Sequence, residues 1–102
     1  MKLGVVLTDE RCVTEATRLL RAAQGRGWTT RCFLTDRGVL ALDNAEFRAA
    51  ATADPAGVAV CELSVERFGG DLRPDVLAEP IVIGGQYQNA ELVHTSDRVV
   101  VY

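Results

Sequence analysis

The sequence lacks most of the features that announce a specialised protein. None of its apolar runs approaches the ~20 residues that a membrane-spanning helix needs, so such a helix is excluded. The first apolar run, Leu3–Leu7, gives way to Asp9-Glu10. It is too short for the core of a secretory leader, and no small-residue cleavage site follows it. Cysteine is limited to Cys12, Cys32 and Cys61, an odd number at wide spacing that makes no disulfide framework. There is no C-x-x-C pair and only one histidine, His94, so no metal site is expected. Free thiols in this number point to a reducing compartment, and a cytoplasmic location is expected.

Positive charge is also scarce. Eleven basic residues face fourteen acidic ones, for a net charge of −3, and Lys2 is the only lysine. A general nucleic-acid binder needs a basic excess, so no nucleic-acid partner is expected. Charge is unevenly spread: residues 1–37 carry seven basic and four acidic groups, residues 38–102 four and ten. Neither G-x-G-x-x-G nor G-x-x-x-x-G-K-[ST] occurs, which leaves a nucleotide without support, and no cofactor is expected.

What is present is an ordinary globular balance, 48% hydrophobic and 25% charged, in 102 residues. That length allows a single domain over residues 1–102. Leu3–Leu7 reads as a buried strand. Helix-start chemistry follows at Thr8-Asp9-Glu10, then apolar positions at Val13, Ala16, Leu19, Leu20 and Ala23 keep a helical period up to Gly25 and Gly27. Trp28–Leu34 is a second strand, Thr35–Gly38 a turn, and Val39–Leu42 an ambiguous helical turn. Asp43 or Asn44 can cap a helix through about Ala53, ended by Asp54-Pro55-Ala56-Gly57.

Val58–Leu63 is the third strand, and Ser64 is placed to cap a short helix over Val65–Phe68 closed by Gly69-Gly70. Residues 71–80 read as a loop with one helical turn. Ile81–Ile83 is the fourth strand, ending at Gly84-Gly85. A helix from Gln86 to His94 should turn Ala90, Leu92 and Val93 inward, and Arg98–Tyr102 is the last strand. Five apolar strands alternating with helices predict a three-layer α/β/α domain on a five-stranded, mainly parallel sheet.

In such sheets chemistry gathers at the carboxyl ends of the strands. Those ends are Thr8–Cys12, Thr35–Gly38, Cys61–Ser64 and Gly84–Gln86. Cys61, near the end of the third strand and before a helix, sees the positive potential of helix N–H groups, which favours thiolate. Its neighbour Glu62 should face away by strand alternation. Cys12 is placed similarly but opposed by Asp9 and Glu10, and Cys32 sits within a core strand as an inert thiol. Gly84-Gly85 can serve either as an anion cradle or as a tight turn. Asp9-Glu10 resembles the acidic pair of phosphorylated receiver domains, but Cys61 stands where those domains need an aspartate. A thiol hydrolase would need a base, and only His94 is on offer.

Four segments, in order, resemble the DsrE/DsrF/DsrH-like family of intracellular sulfur-relay proteins. Gly25 to Val39 is similar to the family's turn and "FLTGDGV"-like strand end, although this chain has Thr35-Asp36-Arg37-Gly38 there. Val58–Ser64 is similar to a third strand ending in cysteine. Ile83-Gly84-Gly85 is similar to the fourth, and Ser96–Tyr102 to an "ADRVLTF"-like close. The resemblance implies a parallel α/β domain that assembles with itself or with related subunits. It also implies that Cys61 takes sulfane sulfur as a persulfide from a donor protein and passes it to an acceptor, with Cys12, Ser64, Gly84 and Gly85 as accessory candidates. The alternative is a binding or assembly subunit with no chemistry of its own.

Overall fold

A computed structural model of the chain describes residues 1–54 and 57–102. The chain runs β1 (Lys2–Leu7), α1 (Val13–Gly25), β2 (Thr29–Leu34), α2 (Ala45–Ala51), β3 (Val58–Cys61), α3 (Glu62–Phe68), β4 (Val82–Gly84), α4 (Gln86–Thr95) and β5 (Arg98–Val101). Single turns of 3-10 helix cover Glu10–Cys12, Gly69–Asp71 and Pro74–Leu77, and a longer one covers Asp36–Asp43. The strands form one sheet in the order β4-β3-β2-β1-β5, and all four pairings are parallel. This is the three-layer α/β/α architecture expected.

The strand order explains the layers. β1 to β4 step in one direction, so right-handed crossovers place α1, α2 and α3 on one face. The return from β4 to β5 crosses the whole sheet and places α4 on the other. Side-chain alternation divides the core accordingly. Leu3, Val5 and Leu7 of β1 join Leu20, Leu34, Leu42, Phe47, Val58 and Val60 in the larger cluster. Val6, Phe33, Cys61 and Leu92 form a smaller one under α4. Phe33 and Phe47 are fully buried, and each contributes about 1.5–3 kcal/mol by leaving water. The four ion pairs found among the described residues are solvent-exposed and worth ~0–1 kcal/mol each, so the core holds the fold.

Two glycines set close approaches. A Cβ on Gly4 would lie 2.5 Å from Leu92 Cδ2, so Gly4 lets α4 settle onto β1. A Cβ on Gly38 would lie 1.9 Å from the Leu7 carbonyl oxygen, so only glycine lets the 3-10 turn after β2 press against the end of β1. Between the helices, Gln24 Nε2 donates to the Ala50 carbonyl at 2.7 Å and to Thr30 Oγ1 at 3.0 Å. Asn44 caps α2 by accepting the Phe47 N–H at 2.9 Å.

Several expected boundaries move. α1 is preceded by the Glu10–Cys12 turn, because Asp9 accepts the Arg11 N–H and caps that turn first. The expected turn at Thr35–Gly38 and the ambiguous Val39–Leu42 fuse into the Asp36–Asp43 3-10 helix. α2 stops at Ala51, and of the segment expected to end it, Pro55 and Ala56 lie outside the described residues. Glu62 and Leu63 belong to α3 rather than to β3, so strand alternation does not apply to Glu62, and Ser64 lies inside the helix instead of capping it. Only Leu92 of α4 is buried, whereas Ala90 and Val93 are exposed. One helix laid across five strands has room for one inward ridge, and Val82, Val99 and Val101 stay uncovered on either side of it.

No helix among the described residues is long and apolar enough to cross a membrane.

Candidate functional site

β3 passes into α3 with no connecting residue. Cys61 is both the last residue of the strand and the cap of the helix, with extended backbone at φ −73°, ψ 119°. Its Cβ side packs with Val6, Phe33 and Leu92, and the residue is only 7% exposed. The thiol nevertheless borders an open cleft of about 290 Å³ at the carboxyl edge of the sheet. Thr35, Asp36, Ser64, Arg67 and Phe68 line the same cleft.

Ser64 occupies the third position of α3 and is buried. Its Oγ accepts the Asp36 backbone N–H at 2.7 Å and lies 3.3 Å from Thr35 Oγ1. With one lone pair so engaged, the hydroxyl proton is free to turn toward Cys61. The Ser64 hydroxyl is the main cause holding the Cys61 thiol below its ordinary range. Burial opposes it, and the Ser64 N–H, the Thr35 hydroxyl and the Leu63 N–H add to the lowering. Each of these donors stabilises the charged form directly.

Asp36 is placed for this by an unusual backbone. Its φ of 52° is left-handed, a conformation that Asp tolerates better than most side chains. The following residue, Arg37, pairs with Glu10 Oε1 at 2.6 Å, and its Cζ lies 5.7 Å from the Phe68 ring centroid. The loops after β1 and β2 are thereby tied to α3. Arg67 Cζ also lies over the Phe68 ring, 5.2 Å from its centroid.

The remaining candidates sit elsewhere. Gly84 is the register partner of Cys61 on β4, but the cleft lining includes neither Gly84 nor Gly85. The Gly85 N–H already donates to Gln88 Oε1 at 2.7 Å, so these glycines serve the strand-to-helix turn. Cys12 caps α1 and packs, half-buried, against the larger cluster, whereas Cys61 belongs to the smaller cluster on the opposite face of the sheet. Cys32 is buried, and burial pushes its thiol up to about 12, as an inert core thiol requires. His94 is exposed near the carboxyl end of α4, which has run back to the amino edge of the sheet, so it supplies no base to Cys61. Among the described residues no cluster of three or more His, Cys, Asp or Glu could hold a metal ion.

Sequence reasoning does not single out Thr35, Asp36, Arg67 and Phe68 as functional side chains. The strand-end rule does point to the Thr35–Gly38 segment. Arg67 and Phe68 fall three and four positions after Ser64, the spacing that shares a helix face once Ser64 is known to be helical.

Comparison with models of known protein families and with curated proteins finds no match.

Proposed function

We propose that the chain is a cysteine-dependent sulfur carrier, with Cys61 as the residue that takes and releases sulfane sulfur. The observation that carries this reading is the Asp36–Ser64–Cys61 arrangement, which lowers the thiol pKa at the mouth of an open cleft. A thiolate is the species that attacks sulfur. The Cys61 thiolate attacks the outer sulfur of a donor persulfide. A new S–S bond forms at Cys61, the donor's S–S bond breaks, and the donor leaves as its own thiolate. An acceptor thiolate then repeats the exchange on the Cys61 persulfide. The resemblance to DsrE/DsrF/DsrH-like proteins points the same way. The lowered pKa enlarges the thiolate fraction that makes this attack.

The resemblance also supports a cytoplasmic setting and assembly with like or related subunits. Val82, Tyr87, Val93, Val99 and Val101 form an exposed apolar surface on the α4 side that such a contact would cover. A second reading, an assembly subunit without chemistry, is favoured by the low exposure of Cys61.

Incubation with a persulfide donor followed by peptide mass spectrometry separates the two. The carrier reading expects one added sulfur atom on the peptide containing Cys61, and none in Cys61→Ser. A Cys61 that alkylates readily yet never gains sulfur from any donor removes it.

A further inference from the structure

The cleft at Cys61 contains one cation without an ionic partner. Arg67 makes no ion pair among the described residues, whereas Arg37, which also contacts Phe68, is held by Glu10. Contact with the Phe68 ring at 5.2 Å restrains the Arg67 side chain without using its N–H donors. The other charges at this site are negative. Asp36 also lines the cleft, and a reacting Cys61 is itself an anion. An anionic reagent approaching the sulfur is repelled by both, and Arg67 is the group that can reverse the sign of its reception.

We infer that Arg67 is a specificity-determining residue that binds the anionic leaving group of a small sulfane-sulfur donor, of which thiosulfate is the simplest. The inference rests on the reading of Cys61 as a sulfur acceptor and adds the class of donor. The Cys61 thiolate attacks the outer sulfur of thiosulfate and forms a new S–S bond. The S–S bond of thiosulfate breaks, its electron pair departs with sulfite, and Cys61 is left as a persulfide anion. The total charge is the same on both sides, and no proton, oxidant or reductant is consumed. Charge accumulates on the departing sulfite as the bond breaks. A cation beside it therefore stabilises the transition state more than the bound donor.

The test measures rates at the Cys61 peptide of the full chain by mass spectrometry. Three reagents are used: thiosulfate, iodoacetate and iodoacetamide. The last two alkylate by the same displacement and differ in charge. Arg67→Gln is expected to slow thiosulfate and iodoacetate by roughly five- to tenfold at low salt while leaving iodoacetamide unchanged. Arg67→Lys should recover most of the loss, and Asp36→Asn should speed both anions. An equal effect on all three reagents, or none on any, overturns the inference. Loading of Cys61 by persulfides but not by thiosulfate overturns it alone and leaves the carrier reading standing. Failure of every sulfane donor, with normal alkylation, overturns both.

Discussion

The Asp36 backbone N–H donates to Ser64 Oγ at 2.7 Å from a residue held at φ 52°. This bond joins the loop after β2 to the helix after β3 and leaves the Ser64 hydroxyl proton for the Cys61 thiol or for Thr35 Oγ1, 3.3 Å away. The chemistry of Cys61 therefore depends on a backbone conformation in the loop one strand earlier in the chain.

Ser64→Ala removes the largest influence lowering the Cys61 thiol, so its pKa is expected to rise. A hydrogen bond to a charged group is worth about 1.5–3 kcal/mol, so alkylation at neutral pH should slow by about tenfold or more. The pH profile of iodoacetamide alkylation checks this, with the midpoint moving toward alkaline pH. The same change leaves the Asp36 N–H without its acceptor, and urea denaturation should show a loss of about 1–2 kcal/mol.

Asp36 separates backbone from side chain. Asp36→Gly keeps the left-handed conformation at no steric cost, so the bond to Ser64 and the thiol's reactivity toward neutral reagents should be retained. Asp36→Val strains it, because a β-branched residue resists positive φ by about 1–2 kcal/mol or more. The loop should then relax and release Ser64. Slow alkylation in the valine variant alone is the expected pattern, and equal slowing in both would place the effect on the carboxylate instead.

Gly38→Ala is expected to be far more damaging than an ordinary surface change. The new Cβ would stand 1.9 Å from the Leu7 carbonyl oxygen, so the 3-10 helix must lift away from β1. A backbone atom cannot yield as a flexible side chain does, and a cost of about 3 kcal/mol or more is expected. Thermal unfolding should show the loss. Cys61 alkylation in the folded variant should slow as well, because Thr35 and Asp36 lie on the segment that moves.

Much of this was legible in the sequence. The period of Val13, Ala16, Leu19, Leu20 and Ala23 and the apolar runs at Leu3–Leu7 and Val58–Leu63 mark α1, β1 and β3, although β3 ends at Cys61. The rule that chemistry gathers at strand ends leads to Cys61. The errors lie where local propensity met a tertiary demand. Ser64 is a strong cap by composition, yet Glu62 and Leu63 are already helical, because β3 ends at Cys61 and the chain turns at once. Val93 and Ala90 read as an inner face, but α4 spans too wide a sheet for all its apolar residues to be covered. The positive φ of Asp36 is signalled locally only by the residue being Asp, and it accompanies the close contact of Gly38 with Leu7 and the acceptor that Ser64 provides.

Cys32 and Cys61 should have opposite effects on stability in alkaline solution. Burial raises the Cys32 thiol from 9.0 to about 12 in the folded chain, so the unfolded chain loses its proton first. The stability tied to this group is complete below pH 9.0 and is lost as pH climbs toward 12. The loss reaches about 2 kcal/mol near pH 10.5, at about 1.4 kcal/mol per unit. Cys61 is lowered on folding, so its contribution grows as pH rises through its folded value and is complete above 9.0. Urea midpoints measured between about pH 8 and 11 should therefore fall less steeply in Cys32→Ala than in the wild type. In Cys61→Ser they should lack the rise that Cys61 gives the wild type up to 9.0 and run in parallel with the wild type beyond it. A Cys32→Ala variant whose midpoint falls as steeply as the wild type would show that another group governs the alkaline transition.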